Sequence, residues 1–177
     1  MSHTYSEFLP SYSVGVDCYK AIPEIVKPYG KKAVAVGGKT AMKKSKKALL
    51  EGIKGSDIEI IDFVWYGGDS SYENVEKIKN NPSVQKADMV FGIGGGRAVD
   101  TAKTYCALYN KPLFAFPTIA SNCASCTSLS VMYNPDGTFK EYSYHKAPAI
   151  HTFINTKIIA ESPEKLMWAG IGDALSK

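Results

Sequence analysis

The stretch MVFGIGGGRAVDTAK, residues 89–103, decides the fold. Its first five residues are continuously apolar and read as a strand buried on both faces. Gly94, Gly95 and Gly96 break that strand, and Val99, Ala102, Cys106 and Tyr109 then recur at helical spacing. A helix that starts straight after a strand has N–H groups without intrahelical partners at the positive end of its dipole. Glycine lets an anion come close to that backbone, so Gly95 and Gly96 are candidates to hold a phosphate or diphosphate, with Arg97 adding a cation. The alternative is a plain tight turn, but three adjacent glycines exceed what a turn needs. Neither common phosphate signature fits the run. In G-x-G-x-x-G, Arg97 or Val99 stands in the place of the last glycine, and the run has no Walker lysine followed by Ser or Thr.

Working outward, the sequence predicts strands at 12–16, 32–36, 58–66 and 113–116, alternating with helices. The first helix is expected over 19–29, with Pro23 in its first turn. The second begins near Thr40, with Met42, Leu49, Leu50 and Ile53 as its apolar stripe. The third opens at Ser70, which has capping-box spacing to Glu73, and is ended by Asn81-Pro82. This alternation implies right-handed βαβ units and an α/β fold: a Rossmann-like parallel sheet flanked by helices. Ligands of such sheets bind beyond the carboxyl ends of the strands. That edge collects Gly37-Gly38, Gly67-Gly68, Gly94 to Gly96 and the segment from Pro117 to Ser121. Lys43, Lys44, Lys46 and Lys47 read as a solvated helix face, and the sharper alternative sets Lys39 or Lys43 against a cofactor phosphate.

Beyond Pro117 the character changes to a small, hydroxyl-rich loop, PTIASNCASCTS. Segments 129–133 and 139–144 flank Asn134-Pro135-Asp136-Gly137 and predict an added β-hairpin. A further strand is expected at 150–154, and Ser162-Pro163 opens a last helix as N-cap and first helical residue.

With 177 residues, 45% of them hydrophobic, the chain can bury one substantial core. A net charge of +4 is mild and many of the lysines fall within 39–47, so no nucleic-acid partner is expected. Four cysteines without a signal peptide suggest a reducing, cytoplasmic setting. No apolar run approaches the roughly 20 residues of a membrane span, so no membrane partner is expected either. Cys123-Ala124-Ser125-Cys126 is C-x-x-C, but a single such pair with no suitably spaced histidine is weak evidence for zinc or redox chemistry. His3, His145 and His151 lack the spacing of a helical ligand pair and are expected as surface or hairpin residues.

Three separate motifs, GIGGGRAVDTAK (92–103), PTIASNCASCTSLSVMYNPDG (117–137) and AGIGDALSK (169–177), resemble the glycerol dehydrogenase family of the iron-containing alcohol dehydrogenase superfamily. The resemblance covers only the N-terminal half of such enzymes. It implies that residues 1–161 form the nucleotide-binding domain and 162–177 begin a helical metal-binding domain. The activity it implies is hydride transfer between NAD or NADP and a small alcohol, polyol or 2-hydroxy/2-oxo acid, with a divalent zinc or iron. The full-length protein would then be a homo-oligomeric enzyme with a small-molecule substrate, and these 177 residues alone would turn over little.

Carried over by motif, Gly95, Gly96, Arg97, Ala98, Val99 and Asp100 fall on the loop that holds the cofactor diphosphate. Family members usually have lysine or serine where Arg97 stands. Thr118, Ser121, Thr127, Leu129 and Tyr133 fall on positions lining the nicotinamide and its ribose, and Asp173 falls on the first metal ligand. Cys123 replaces the aspartate that contacts the polyol in glycerol dehydrogenases, which brings the chain closer to a hydroxycarboxylate dehydrogenase-like branch. Gly38 replaces the aspartate of NAD-specific members, and with Lys39 and Thr40 beside it this favours NADP. Two other readings stand beside this one. One is a stand-alone nucleotide-binding module. The other is a related-scaffold enzyme such as a glycerol-phosphate dehydrogenase or dehydroquinate synthase, against which the loop's lack of an added basic cluster argues.

Overall fold

The computed structural model describes residues 10–176. His3 lies outside them. Strand β1 (Ser11–Val14) is followed by a broken helical segment: a 3₁₀ turn (Cys18–Ala21), α1 (Ile22–Val26) and a second 3₁₀ turn (Lys27–Tyr29). The single helix expected over 19–29 is therefore three short pieces, and Pro28 starts the last by denying a backbone donor. Then come β2 (Lys32–Gly37), α2 (Lys39–Gly52), β3 (Glu59–Trp65), α3 (Tyr72–Lys79), α4 (Pro82–Lys86), β4 (Met89–Gly94), α5 (Gly96–Tyr109) and β5 (Leu113–Pro117). The chain continues through β6 (Leu129–Tyr133), β7 (Phe139–Tyr144), β8 (His151–Ile154), α6 (Thr156–Ala160) and α7 (Glu164–Leu175).

Six strands form one parallel sheet in the order β1-β8-β5-β4-β2-β3, and β6 and β7 form a separate antiparallel ribbon. The sheet is Rossmann-like. The chain runs outward from β2 to β3, then crosses back over β2 to β4. Its direction of winding thus reverses between β2 and β4, so the helices diverge there and leave a crevice beyond the strand ends.

Alternation along the strands divides the core between two faces. Ala33, Ala35, Met89, Phe91, Ile93, Phe114, Phe116 and Phe153 pack with Tyr19, Ile22, Val26, Met42 and Leu49. Val34, Val36, Val90, Leu113 and Ala115 pack with Val75, Ile78, Val84, Val99, Ala102 and Tyr105 from α3, α4 and α5. Gly92 brings α5 close to the sheet: a Cβ there would lie 3.2 Å from the Ala102 Cβ and 3.3 Å from the Leu113 Cδ1.

Several expectations shift by a residue or a turn. On α2, Leu50 is exposed, and Ser45 takes the buried place between Met42 and Leu49 because its hydroxyl donates to the Ala41 carbonyl. The cap of α3 is Ser71 rather than Ser70, its oxygen accepting from the Asn74 N–H. Asn81-Pro82 does end α3, but Asn81 also caps the one-turn α4. Pro163, not Ser162, stands at the N-cap of α7.

His151 is buried in β8 rather than on the surface. Its Nδ1 lies 2.7 Å from the Ser11 Oγ, which donates onward to the Ile150 carbonyl, and its Nε2 lies 2.9 Å from the Ser13 Oγ. Both ring nitrogens are satisfied, so burial costs little, and the ring clamps edge strand β1 to β8. Burial pushes the His151 pKa below the usual 6.5. Because the folded value is depressed, this contribution to stability is complete above pH 6.5 and is lost as the pH falls below it. Melting temperature is expected to drop between pH 7.5 and pH 5.5 (both about one unit from the reference value), with the His151 ring resonance titrating below 6.5. A ring titrating at or above that value would contradict the assignment.

Candidate functional site

The crevice is built where β2 and β4 end side by side. Gly37 pairs with Ile93, and the Gly38 N–H donates to the Ile93 carbonyl at 3.3 Å. Immediately beyond, Gly94 turns the chain at φ +146°, a conformation L side chains rarely adopt, and α5 begins. Gly95 is the N-cap, and no side chain caps the helix. A Cβ at Gly95 would stand 2.6 Å from the Ile119 Cδ1, and one at Gly96 would stand 2.6 Å from the Asn122 Nδ2. A side chain at either position would have to displace Ile119 or Asn122, and no side chain caps the first turn of α5.

Two cavities of about 230 and 450 Å³ share Gly38, Ala41, Tyr66 and Ile119. The smaller is closed by Gly94, Gly95, Gly96, Arg97 and Ala98, and the larger extends to Lys39, Thr40, Lys44, Trp65, Thr118 and Leu166. Thr118 is buried, and its N–H donates to the Gly94 carbonyl at 3.1 Å, which fixes the start of the loop after β5 against the glycine turn. The structure thus brings Gly38, Gly95, Gly96, Arg97, Ala98 and Thr118 together around one crevice.

The Arg97 guanidinium lies 3.4 Å from the Asp69 Oδ1 and 4.7 Å from the centre of the Tyr133 ring. Its backbone belongs to the glycine turn, while its charge is shared with Asp69 and the hairpin. The Val99 side chain is in the core. Asp100 faces the hairpin: its Oδ1 is 3.1 Å from the Lys103 Nζ, and its Oδ2 accepts from the Val131 N–H at 3.2 Å. Lys103 also donates to the Leu129 carbonyl at 2.6 Å. Both side chains are almost wholly buried. Burial raises the Asp100 pKa and lowers that of Lys103, while each partner opposes the shift of the other. Asp100 and Lys103 hold β6, with Leu129 and Tyr133, against α5.

Ser121, Cys123 and Thr127 lie in the loop between β5 and β6, outside the walls of the two cavities. Asp173 is half-buried on α7. Among the described residues no three His, Cys, Asp or Glu side chains converge on a point where a metal could sit. A divalent metal normally takes three or more protein ligands, so these residues do not by themselves form its site. Among the described residues, the His145 Nε2 is 2.9 Å from the Ser130 Oγ, and both nitrogens of His151 are engaged by serine hydroxyls.

Sequence reasoning missed Tyr66, Ile119, Lys44 and Asn122. Tyr66 follows β3 on the same carboxyl edge as the glycines, so its position was a usable signal. Its hydroxyl donates to the Gly68 carbonyl at 2.7 Å, and its N–H donates to the Gly37 carbonyl.

The family model described as iron-containing alcohol dehydrogenase matches residues 10–154. The chain belongs to that family. It is 30% identical over 165 residues to a glycerol dehydrogenase of Escherichia coli O6:H1, covering 93% of this chain and 45% of the relative. It is 32% identical over 149 residues to hydroxycarboxylate dehydrogenase A of Escherichia coli K12, covering 84% of this chain and 38% of that one. The crystal structure of glycerol dehydrogenase from Schizosaccharomyces pombe superposes with a TM-score of 0.86 at 30% identity, over 99% of this chain and 44% of the other. The chain thus spans less than half the length of these family members, and the matched part carries the parallel sheet and its crevice. No helix among the described residues is long and apolar enough to cross a membrane.

If Asp100 and Lys103 secure the hairpin, removing one partner strands the other charge in the core. Lys103→Met is expected to cost about 3–5 kcal/mol in urea unfolding, and pairing it with Asp100→Leu should recover a large part of that loss. A loss of under about 1 kcal/mol for the single variant is the level of an exposed pair, and would show that the hairpin is held by other contacts.

Proposed function

We propose that the crevice at the β2/β4 reversal holds the diphosphate of a nicotinamide cofactor. The protein of which this is the matched half would then transfer a hydride between NAD(P)(H) and a small alcohol, polyol or 2-hydroxy/2-oxo acid. The observation that supports this best is the uncapped start of α5 at Gly95-Gly96, where an added side chain would have to displace Ile119 or Asn122. The amides of Gly95, Gly96 and Arg97 would neutralise the diphosphate, while Thr118 and Ile119 wall the nucleotide from the other side. The cofactor itself supplies the redox chemistry, and the fold's task is to orient it toward the substrate carbon. In this reading residues 1–161 are the nucleotide domain and residues 162–177 begin the next one. Asp173 would offer one ligand to a divalent zinc or iron, which needs further ligands from elsewhere.

Two features favour NADP and an acid substrate. A Cβ at Gly38 would make only ordinary contacts, 3.8 Å to the Ala41 Cβ and to the Tyr66 Cε1, so glycine is not required there by packing. Its absence of a side chain leaves the crevice open beside Lys39, Thr40 and Lys44, which suit a 2′-phosphate. The Cys123 thiol accepts hydrogen bonds weakly, which disfavours a polyol contact at that position and favours the hydroxycarboxylate side of the family.

Nucleotide titrations test both levels of the reading. Gly95→Val is expected to weaken NADPH binding by at least about tenfold, or about 1.4 kcal/mol, and unchanged affinity would refute the phosphate loop. Gly38→Asp should move the NADPH-to-NADH affinity ratio toward NADH through repulsion of the 2′-phosphate and a new acceptor for the ribose hydroxyls. An unmoved ratio would remove Gly38 from cofactor choice while leaving the diphosphate site intact.

A further inference from the structure

The loop between β5 and β6 carries a thiol pair that the nucleotide crevice does not use. Cys123 and Cys126 flank a single 3₁₀ turn (Ala124–Cys126), closed by the Cys126 N–H donating to the Cys123 carbonyl at 2.9 Å. A turn of this kind keeps its first and fourth Cα atoms within about 7 Å. That overlaps the separation of about 4.4–6.8 Å across which a disulfide can form without backbone movement. Both residues are exposed, and the four cysteines form no disulfide among the described residues.

The turn is also held in place. The Asn122 side chain accepts from the Ala124 N–H at 3.1 Å, and the Thr152 hydroxyl of β8 donates to the Ser125 carbonyl at 2.8 Å. The ammonium of Lys103, buried beneath the loop, interacts electrostatically with both sulfurs. At Cys126 partial burial outweighs this cation and holds the thiol above its ordinary value. The other two cysteines lack these features: Cys106 is wholly buried, and Cys18 stands in the 3₁₀ turn before α1.

We propose that Cys123 and Cys126 are a reversible dithiol–disulfide site, oxidised by low-molecular-weight disulfides of the glutathione class. The thiolate of Cys123 attacks one sulfur of the oxidant, breaking its S–S bond and releasing one thiol. The thiolate of Cys126 then attacks the Cys123 sulfur of the mixed disulfide and expels the second thiol. Two electrons pass from the protein to the oxidant, and the two protons leave on the released thiols. The product closes a C-x-x-C ring in the loop beside the glycine turn, since Asn122, its immediate neighbour, is the residue that abuts Gly96.

The experiment equilibrates the protein with oxidised glutathione, blocks remaining thiols by alkylation and maps the linkage by peptide mass. The expected product is a Cys123–Cys126 disulfide with Cys18 and Cys106 still alkylated after unfolding, and it should revert with reduced glutathione. Cys123→Ser and Cys126→Ser should each stop at the single-thiol stage, accumulating a mixed disulfide with glutathione or remaining reduced. Cys18→Ser should behave as the parent. A parent protein that accumulates unresolved mixed disulfide at either thiol, that links Cys18 instead, or that stays reduced would overturn the proposal. Because linkage is read by mass, the result is independent of whether the crevice binds nucleotide.

Discussion

The close seating of α5 on β4 is the constraint from which the rest of the architecture follows. Gly92 removes the side chain that would hold the helix off the sheet, and Gly94 takes a backbone angle that sends the chain directly into the helix. The helix then starts at the point where the sheet reverses its winding, and its uncapped first turn forms part of the crevice wall. The β4–β5 ladder runs on to the turn, where the Thr118 N–H donates to the Gly94 carbonyl, so three strand ends (β2, β4 and β5) share one rim.

The same helix carries a second commitment on its far side. Asp100 and Lys103, one turn apart, are too buried to be held by solvent, and each pays for its desolvation by bonding backbone of β6 as well as its partner. That arrangement joins the two-stranded ribbon to the domain, together with buried Met132 and the Tyr133 N–H, which donates to the Ser70 carbonyl. It also fixes Tyr133, on which Arg97 stacks, so the cation at the head of α5 is positioned from the hairpin rather than from the glycine loop. In the proposed function the diphosphate would therefore meet backbone amides at this turn, which cannot be repositioned by a rotamer change.

What could be read from the sequence was what periodicity and glycine encode. Residues 89–103 gave strand, turn and helix because a continuous apolar run, three glycines and a 3.6-residue repeat admit few other foldings. The hairpin was legible from its Asn-Pro-Asp-Gly turn, where Gly137 adopts φ +83°. Helices of a single turn were not: α4 and α6 are five residues each, too short to show a period, and their asparagine caps read equally well as loop. Asp100 was read through its motif as a crevice residue, but its side chain faces the hairpin, because motif spacing says nothing about which side of a helix the hairpin will cover. His151 was misplaced for a related reason: its two serine partners lie 140 and 138 residues away in sequence, so nothing local marks it as buried.

The last helix joins the crevice on one side and exposes apolar residues on the other. A Cβ at Gly170 would collide with the Ala120 carbonyl, so α7 is seated directly on the loop that leaves β5, and Leu166 lines the larger cavity. Yet Trp168 is 63% exposed and Ile171 43%, while Asp173 follows two residues later with no converging ligand set. In the proposed function those facts belong together. A carboxylate that is to share a metal needs further ligands, and exposed apolar residues beside it suit a surface that another element would cover. On that reading backbone amides of the glycine turn would hold the cofactor, and α7, whose Leu166 lines the same crevice, would carry Asp173 as one metal ligand.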